Sequence, residues 1–125
     1  MLTALINRGT EKPPSSEGGG PQGRGVYASE VAGFLIVDEY RGEAFVDDLA
    51  VFPKFHRRGI AAALMARAET AAILRGSEKI HLEVRESNAP ARNLYEARGY
   101  KAVGRRKNFY ENPTEDAILM TMEVK

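Results

Sequence analysis

The sequence predicts an α+β fold: a mixed, mostly antiparallel central sheet flanked by helices, with a shortened N-terminal strand and helix portion. Three observations carry this. Two β-rich runs, 31–37 and 44–52, are separated by only a short turn, which pairs them antiparallel. A long helical pattern, 57–74, then leads into a strictly alternating strand, 79–85, so a crossover helix joins neighbouring strands. A second helix and two further strands follow.

In chain order, Met1 to Arg8 reads as a helical scrap or a short strand. Residues 9–25 are dominated by Gly, Pro and Ser and offer nothing apolar to offset ordering, so residues 1–25 read as a short segment plus a flexible loop. Residues 26–125 read as one domain. Val26–Ala28 reads as a short neighbour of strand Val31–Val37, and Asp38 to Glu43, with Gly42, as a turn. Strand Ala44–Phe52 ends at Pro53, which has no N–H to give a ladder. The helix from Arg57 to Leu74 buries Ile60, Leu64, Ala68 and Ala71, turns Arg67 and Glu69 elsewhere, and stops at Gly76. In the strand Lys79–Arg85, Ile80, Leu82 and Val84 point one way, and His81, Glu83 and Arg85 the other. Ser87 or Asn88 caps the second helix, which has Pro90 in its first turn and Gly99 beyond its end. Strands Tyr100–Gly104 and Ala117–Val124 flank a polar loop containing Pro113.

Composition narrows the function classes. The net charge of +1 argues against a general nucleic-acid or membrane-surface binder. With no cysteine there is neither disulfide nor thiol catalysis, in keeping with a cytoplasmic protein. No run approaches the roughly 20 apolar residues of a membrane helix, and no signal peptide is apparent. The two histidines, His56 and His81, and the scattered carboxylates form no persuasive metal site.

Chemistry concentrates at residues 51–61, Val-Phe-Pro-Lys-Phe-His-Arg-Arg-Gly-Ile-Ala. A helix start presents unpaired N–H groups and the positive end of the peptide dipole, which suits a phosphate. Gly59 lets backbone approach such a ligand, and Ala61, Ala62 and Ala63 leave room for it. Strands 44–52 and 79–85 should be neighbours, with a cleft at their C-terminal ends. There Glu83 offers a carboxylate to take a proton and Tyr95 a phenol to give one, the pair that acyl transfer between heteroatoms requires. Asn88 can cap its helix and also donate to a ligand. Taken singly, these residues read as a solvated strand glutamate, a core tyrosine, a helix cap and a basic turn before a core helix.

Residues 44–125 resemble the GNAT superfamily of acetyltransferases, and within it the ribosomal-protein-alanine N-acetyltransferases. The resemblance rests on His56-Arg57-Arg58-Gly59-Ile60-Ala61, which fits the signature Gln/Arg-x-x-Gly-x-Gly/Ala apart from its first position. Further along it rests on Leu82-Glu83-Val84-Arg85-Glu86-Ser87-Asn88, Ala91, Leu94-Tyr95-Glu96 and Gly99-Tyr100. Arg105-Arg106-Lys107-Asn108-Phe109-Tyr110 and Glu115-Asp116-Ala117-Ile118-Leu119-Met120 continue it.

The likeness implies acetyl-coenzyme A as cofactor and direct attack of an amine on its thioester. Backbone at Leu49, Ala50 and Val51 would meet the pantetheine arm; Arg57, Arg58, Gly59, Ile60, Ala61 and Ala62 would hold the pyrophosphate; Asn88 would touch the cofactor further along. Glu83 would be the general base and Tyr95 the acid. His56, standing where Gln or Arg is usual, implies weakened cofactor binding. Superfamily members begin with a strand and two helices, which makes Met1–Arg8 a remnant of the second helix and the acceptor side cut down; a true minimal enzyme, a shortened start, and a partner chain, as in a homodimer, that completes the wall are the three explanations.

The acceptor implied is a protein N-terminus, gripped by the loop from Arg105 to Asp116 with Phe109 and Tyr110. An α-amine titrates near about 7.7–8.0 and is partly neutral at pH 7, so one carboxylate base suits it better than lysine. A small-molecule amine acetyltransferase and a non-catalytic acyl-coenzyme A binding module are the alternatives; nucleic acid and membrane are not expected partners.

Overall fold

A computed structural model describes residues 2–8 and 28–125, with side chains from Val31 onward. The loop read at 9–25 lies outside the described residues. The elements are β1 (Leu2–Arg8), β2 (Ala28–Tyr40), β3 (Glu43–Val51), a 3-10 turn (Pro53–Phe55), α1 (Ile60–Leu74), β4 (Lys79–Arg85), α2 (Ala89–Ala97), β5 (Lys101–Tyr110) and β6 (Glu115–Glu123). The described residues make one six-stranded sheet in the order β1-β2-β3-β4-β6-β5. Only β3 and β4 are parallel; the other neighbours are antiparallel. The expected α+β layout with a mixed, mostly antiparallel sheet is therefore present.

Several boundaries differ from expectation. Of the two readings of the first segment the short strand holds: Leu2–Arg8 pairs with Ala28–Leu35 and is not the remnant of a helix, a choice made by a neighbouring strand edge that the sequence of the segment does not reveal. Strand β2 runs on to Tyr40, and the turn shrinks to Arg41-Gly42, both at positive φ (52° and 80°). Two consecutive left-handed residues match the twist of an antiparallel hairpin. Helix α1 starts at Ile60 rather than Arg57, because Arg57 (φ 67°) and Gly59 (φ 73°) are left-handed and cannot join it.

One face of the sheet carries the core. Leu35, Ala44, Ile80, Leu82, Val84, Ile118 and Met120 meet Leu64, Met65, Ala68 and Ala72 of α1 and Tyr95 of α2. The α1 stripe is shifted from the expected one: Ala71 is exposed, whereas Glu69 is buried. Glu69 is held there by Arg98, at 2.6 Å and 3.0 Å, and by the Tyr100 hydroxyl at 3.2 Å. Burying that carboxylate is tolerable because its oxygens are satisfied.

The expected strand Tyr100–Gly104 and loop 105–116 are in fact one long hairpin. Strand β5 reaches Tyr110, and the connection shortens to residues 111–114. The pairing skips from Arg106↔Ala117 to Tyr110↔Glu115, so β5 bulges around Lys107–Phe109. Arg105 is ion-paired with Asp116 (2.7 Å) and Glu86 (3.0 Å), which secures the hairpin to the end of β4.

Candidate active site

Strands β3 and β4 pair over four positions, from Glu43↔Lys79 to Val46↔Leu82. Beyond that they separate, although β3 continues to Val51 and β4 to Arg85. The parting coincides with a bulge: Ile36↔Asp48 and Val37↔Val46 are successive pairs with β2, leaving Asp47 as the extra residue. A bulge bends its strand and adds local twist, which peels β3 away from β4.

The gap opens into a cleft. Its larger part, about 560 Å³, is lined by Leu49 and Val51 of β3, His56, Arg57 and Gly59 of the turn, Ile60, Ala61 and Ala62 of α1, and Asn88, Leu94 and Tyr95 on the α2 side. An adjoining part of about 300 Å³ adds Asp47, Asp48, Glu83 and Tyr110, and shares Leu49, Asn88, Ala91 and Tyr95 with the first. The two parts form one passage between the separated strands. It collects ten of the twelve site residues singled out in the sequence: Leu49, Val51, Arg57, Gly59, Ile60, Ala61, Ala62, Asn88 and Tyr95 in the larger part, and Glu83 in the adjoining one.

Ala50 and Arg58 line neither part. Ala50 alternates to the opposite side of β3 from Leu49 and Val51, and the Arg58 guanidinium lies over the Phe55 ring, 5.4 Å from its centroid.

At the mouth of α1, Gly59 is the N-cap, in left-handed conformation and with no side-chain cap. The first helical bond runs from the Ala63 N–H to the Gly59 carbonyl (3.0 Å), so the amides of Ile60, Ala61 and Ala62 have no acceptor within the helix. A Cβ placed on Gly59 would meet nothing within 4 Å, so the approach to these amides is open. His56 turns away from that opening: its Nε2–H donates to the Val51 carbonyl at 2.8 Å and ties the turn to the end of β3. Asn88 caps α2, accepting from the Ala91 N–H at 3.2 Å.

Tyr95 is buried, packed edge-on against Tyr100 with ring centroids 6.0 Å apart. Burial, and then the neighbouring Tyr110 and Asp48, push its phenol up to about 12, so it stays a proton donor at any working pH. Glu83 faces away from the helices, and its Oε2 lies 2.6 Å from Nε of Arg106.

The sequence reading missed three features of this region. The Arg106 partner of Glu83 comes from β5 through hairpin pairing, for which the sequence carries no local signal. Asp47 shares a hydrogen bond with Asp38, which with partial burial and the Asp38 charge pushes its carboxyl up to about 6. The Asp47-Asp48 doublet that breaks the alternation of β3 was the available sign of the bulge. His81, two residues before Glu83 on the same face, donates from Nε2 to Glu43 (2.6 Å), bonds Thr121 through Nδ1 (2.8 Å) and stacks on Phe45 at 4.9 Å.

Comparison with known proteins fits this geometry. Residues 16–100 match the model of the Acetyltransferase (GNAT) family. The chain is 36% identical over 96 residues to the [ribosomal protein bS18]-alanine N-acetyltransferase of Salmonella typhimurium, covering 75% of this chain and 65% of that protein. It thus spans about two thirds of the length of such relatives. The crystal structure of the ribosomal-protein-S18-alanine N-acetyltransferase from Escherichia coli superposes with a TM-score of 0.73 at 25% identity, over 99% of this chain and 95% of that one. A putative streptothricin acetyltransferase from Bacillus anthracis, solved in complex with acetyl coenzyme A, superposes with a TM-score of 0.67 at 25% identity, over 78% of this chain and 60% of that one. With a strand pair that parts around a glycine-capped helix start, the chain belongs to the GNAT acetyltransferase family.

Proposed function

We propose that this chain transfers an acetyl group from acetyl-coenzyme A to the α-amine of a protein N-terminus, of the ribosomal-protein-alanine type. The observation that carries the reading is the parting of β3 and β4 beyond Val46 and Leu82, with the α1 amides at one end of the gap and both Glu83 and Tyr95 lining it.

The residues present fit the cofactor. The open amides of Ile60, Ala61 and Ala62, with Arg57 beside them, suit a pyrophosphate. The edge of β3 from Leu49 to Val51 offers backbone groups to an amide-bearing arm, and Asn88 stands further along the cleft. Acetyl-coenzyme A supplies an acetyl group activated as a thioester. Glu83 takes the proton from the acceptor's ammonium and so frees the nitrogen lone pair for attack. Tyr95 would give its phenolic proton to the departing sulfur and regain one from the nitrogen, which sheds its second proton as the amide forms; burial keeps the phenol protonated until then. An N–H of the β3 edge would stabilise the charge that gathers on the thioester carbonyl oxygen. A ribosomal-protein acceptor would place the reaction in the cytoplasm. Among the described residues no helix is long and apolar enough to cross a membrane.

The test is mass spectrometry of a peptide panel incubated with the protein and acetyl-coenzyme A. Acetylation of α-amines that begin with alanine, and not of internal lysines, is the expected result. Tyr95→Phe should lower kcat by roughly a hundredfold while leaving affinity for coenzyme A unchanged. Transfer to small amines alone would replace the acceptor class, and no transfer by either form would make the chain a binding module.

A further inference from the structure

The partner of Glu83 says something about the acceptor. The carboxylate that would deprotonate the amine is held by a guanidinium, Arg106 Nε to Glu83 Oε2 at 2.6 Å. An arriving ammonium must displace that cation. Other arginines around the hairpin are committed elsewhere. Arg105 bridges Asp116 and Glu86, and Arg85 is held by Glu115, the Pro113 carbonyl and the Tyr110 ring. Arg106 is tied less firmly: its side chain is 59% exposed, and its guanidinium also lies 5.6 Å from the centroid of the exposed Phe109 ring. It can swing off Glu83 without leaving the site.

Beside the pair, a cavity of about 200 Å³ on the face away from the helices is bounded by Phe45, His81, Leu119 and Thr121, so there is room for a small acceptor side chain.

We propose that Arg106 is a specificity-determining residue, and that the Glu83–Arg106 pair selects acceptors carrying a carboxylate a few ångströms from the amine. This rests on the transferase reading above. On binding, the acceptor's ammonium takes the place of the guanidinium at Glu83, and the freed guanidinium takes the acceptor's carboxylate. One ion pair becomes two, and no charge is left without a partner. Glu83 then receives the ammonium proton, as in the reaction already described. A neutral acceptor makes the same first exchange but strands Arg106, and so binds less well. Two sources carry this chemistry: free α-amino acids, and polypeptide N-termini with Asp or Glu in second place.

The experiment measures coenzyme A release by wild type, Arg106→Gln and Arg106→Lys with matched acceptors. Peptides beginning Ala-Asp and Ala-Asn differ in charge at constant shape; alanine and alaninamide do the same for free acceptors and are compared as wild-type-to-variant ratios, since their amines titrate differently. The expected result is a preference for the carboxylate-bearing member of about fivefold, expressed in KM and reduced by salt, because the new pair is half-exposed. In Arg106→Gln the preference should vanish with kcat for the neutral acceptors retained, and Arg106→Lys should restore part of it.

An equal preference in wild type and Arg106→Gln would overturn the proposal, as would loss of kcat for every acceptor, which would make Arg106 a support for Glu83 alone. A preference among peptides only, or among free amino acids only, upholds it and identifies the source. If wild type acetylates no amine at all, it is the transferase reading that fails, and the unchanged thermal midpoint expected for these exposed substitutions separates either result from misfolding.

Discussion

The two faces of the sheet are built differently. Under α1 and α2 the contacts are apolar and interlocked, with the Glu69–Arg98–Tyr100 cluster as a fully bonded polar inclusion. On the other face, charged and aromatic side chains stand in pairs: His81 with Glu43, Glu83 with Arg106, Asp38 with Asp47, Phe45 with His81. The first arrangement holds a shape; the second holds charges that can exchange partners. The cleft runs between them at the parting of β3 and β4. On the proposed reading, its phosphate end would be made of backbone and small side chains, while its proton-moving end would use one group from each face, Tyr95 and Glu83. Rigid placement of the donor and exchangeable placement of the base follow from that division.

The contrast can be broken most severely at the backbone end. Gly59→Glu puts bulk and negative charge where the α1 amides would face the phosphates, and should weaken acetyl-coenzyme A binding by about a hundredfold or more in calorimetry. Since the added Cβ meets open space, the fold should survive with a small loss from the left-handed backbone, visible as a modest fall in Tm. Micromolar binding retained in this variant would remove the cradle from the site.

A second substitution tests whether the helix-covered face depends on its polar inclusion. Glu69→Ala leaves Arg98 and Tyr100 without their shared acceptor and should cost about 2 kcal/mol, lowering Tm by about 8 °C with little change in the cofactor's Kd. An unaltered Tm would mean that water replaces the carboxylate there.

The smallest effect belongs to the open face. The folded protein holds the Asp47 proton more tightly than the unfolded chain, with a carboxyl at about 6 against an ordinary 3.8. Its contribution to stability is therefore present at pH below about 4 and is lost as pH rises through about 6. Asp47→Asn removes that loss. Its Tm should match wild type near pH 4 and exceed it by about 1–2 °C at pH 7, a small gain because both carboxyls are exposed. Equal Tm at both pH values would separate Asp47 from Asp38.

Local pattern foretold what local physics decides. The alternation of Ile80, Leu82 and Val84, the cap at Asn88, the glycine stops at Gly76 and Gly99 and the open helix start at Gly59 all stand where the sequence puts them. What escaped depends on partners distant in sequence. Glu69 reads as a surface charge until Arg98 and Tyr100 arrive from the segment that follows α2. Leu2–Arg8 reads as helix or strand alike until β2 offers an edge, which decides for the strand. Residues 105–110 look like a polar loop because β5 is exposed along nearly its whole length, so no buried face imposes an apolar alternation on it. The Glu83–Arg106 pair inherits that blindness, since it exists only once the hairpin has chosen its register.

Asp47, the extra residue in β3, has a consequence beyond local shape. By ending the ladder early it creates a seam inside the sheet, where one strand continues with a side that its neighbour no longer covers. A slender molecule bearing its own amides can lie in such a seam much as an additional strand would. Loading the protein then amounts to completing its architecture, and affinity for the donor and resistance to unfolding rise together through the same few main-chain groups.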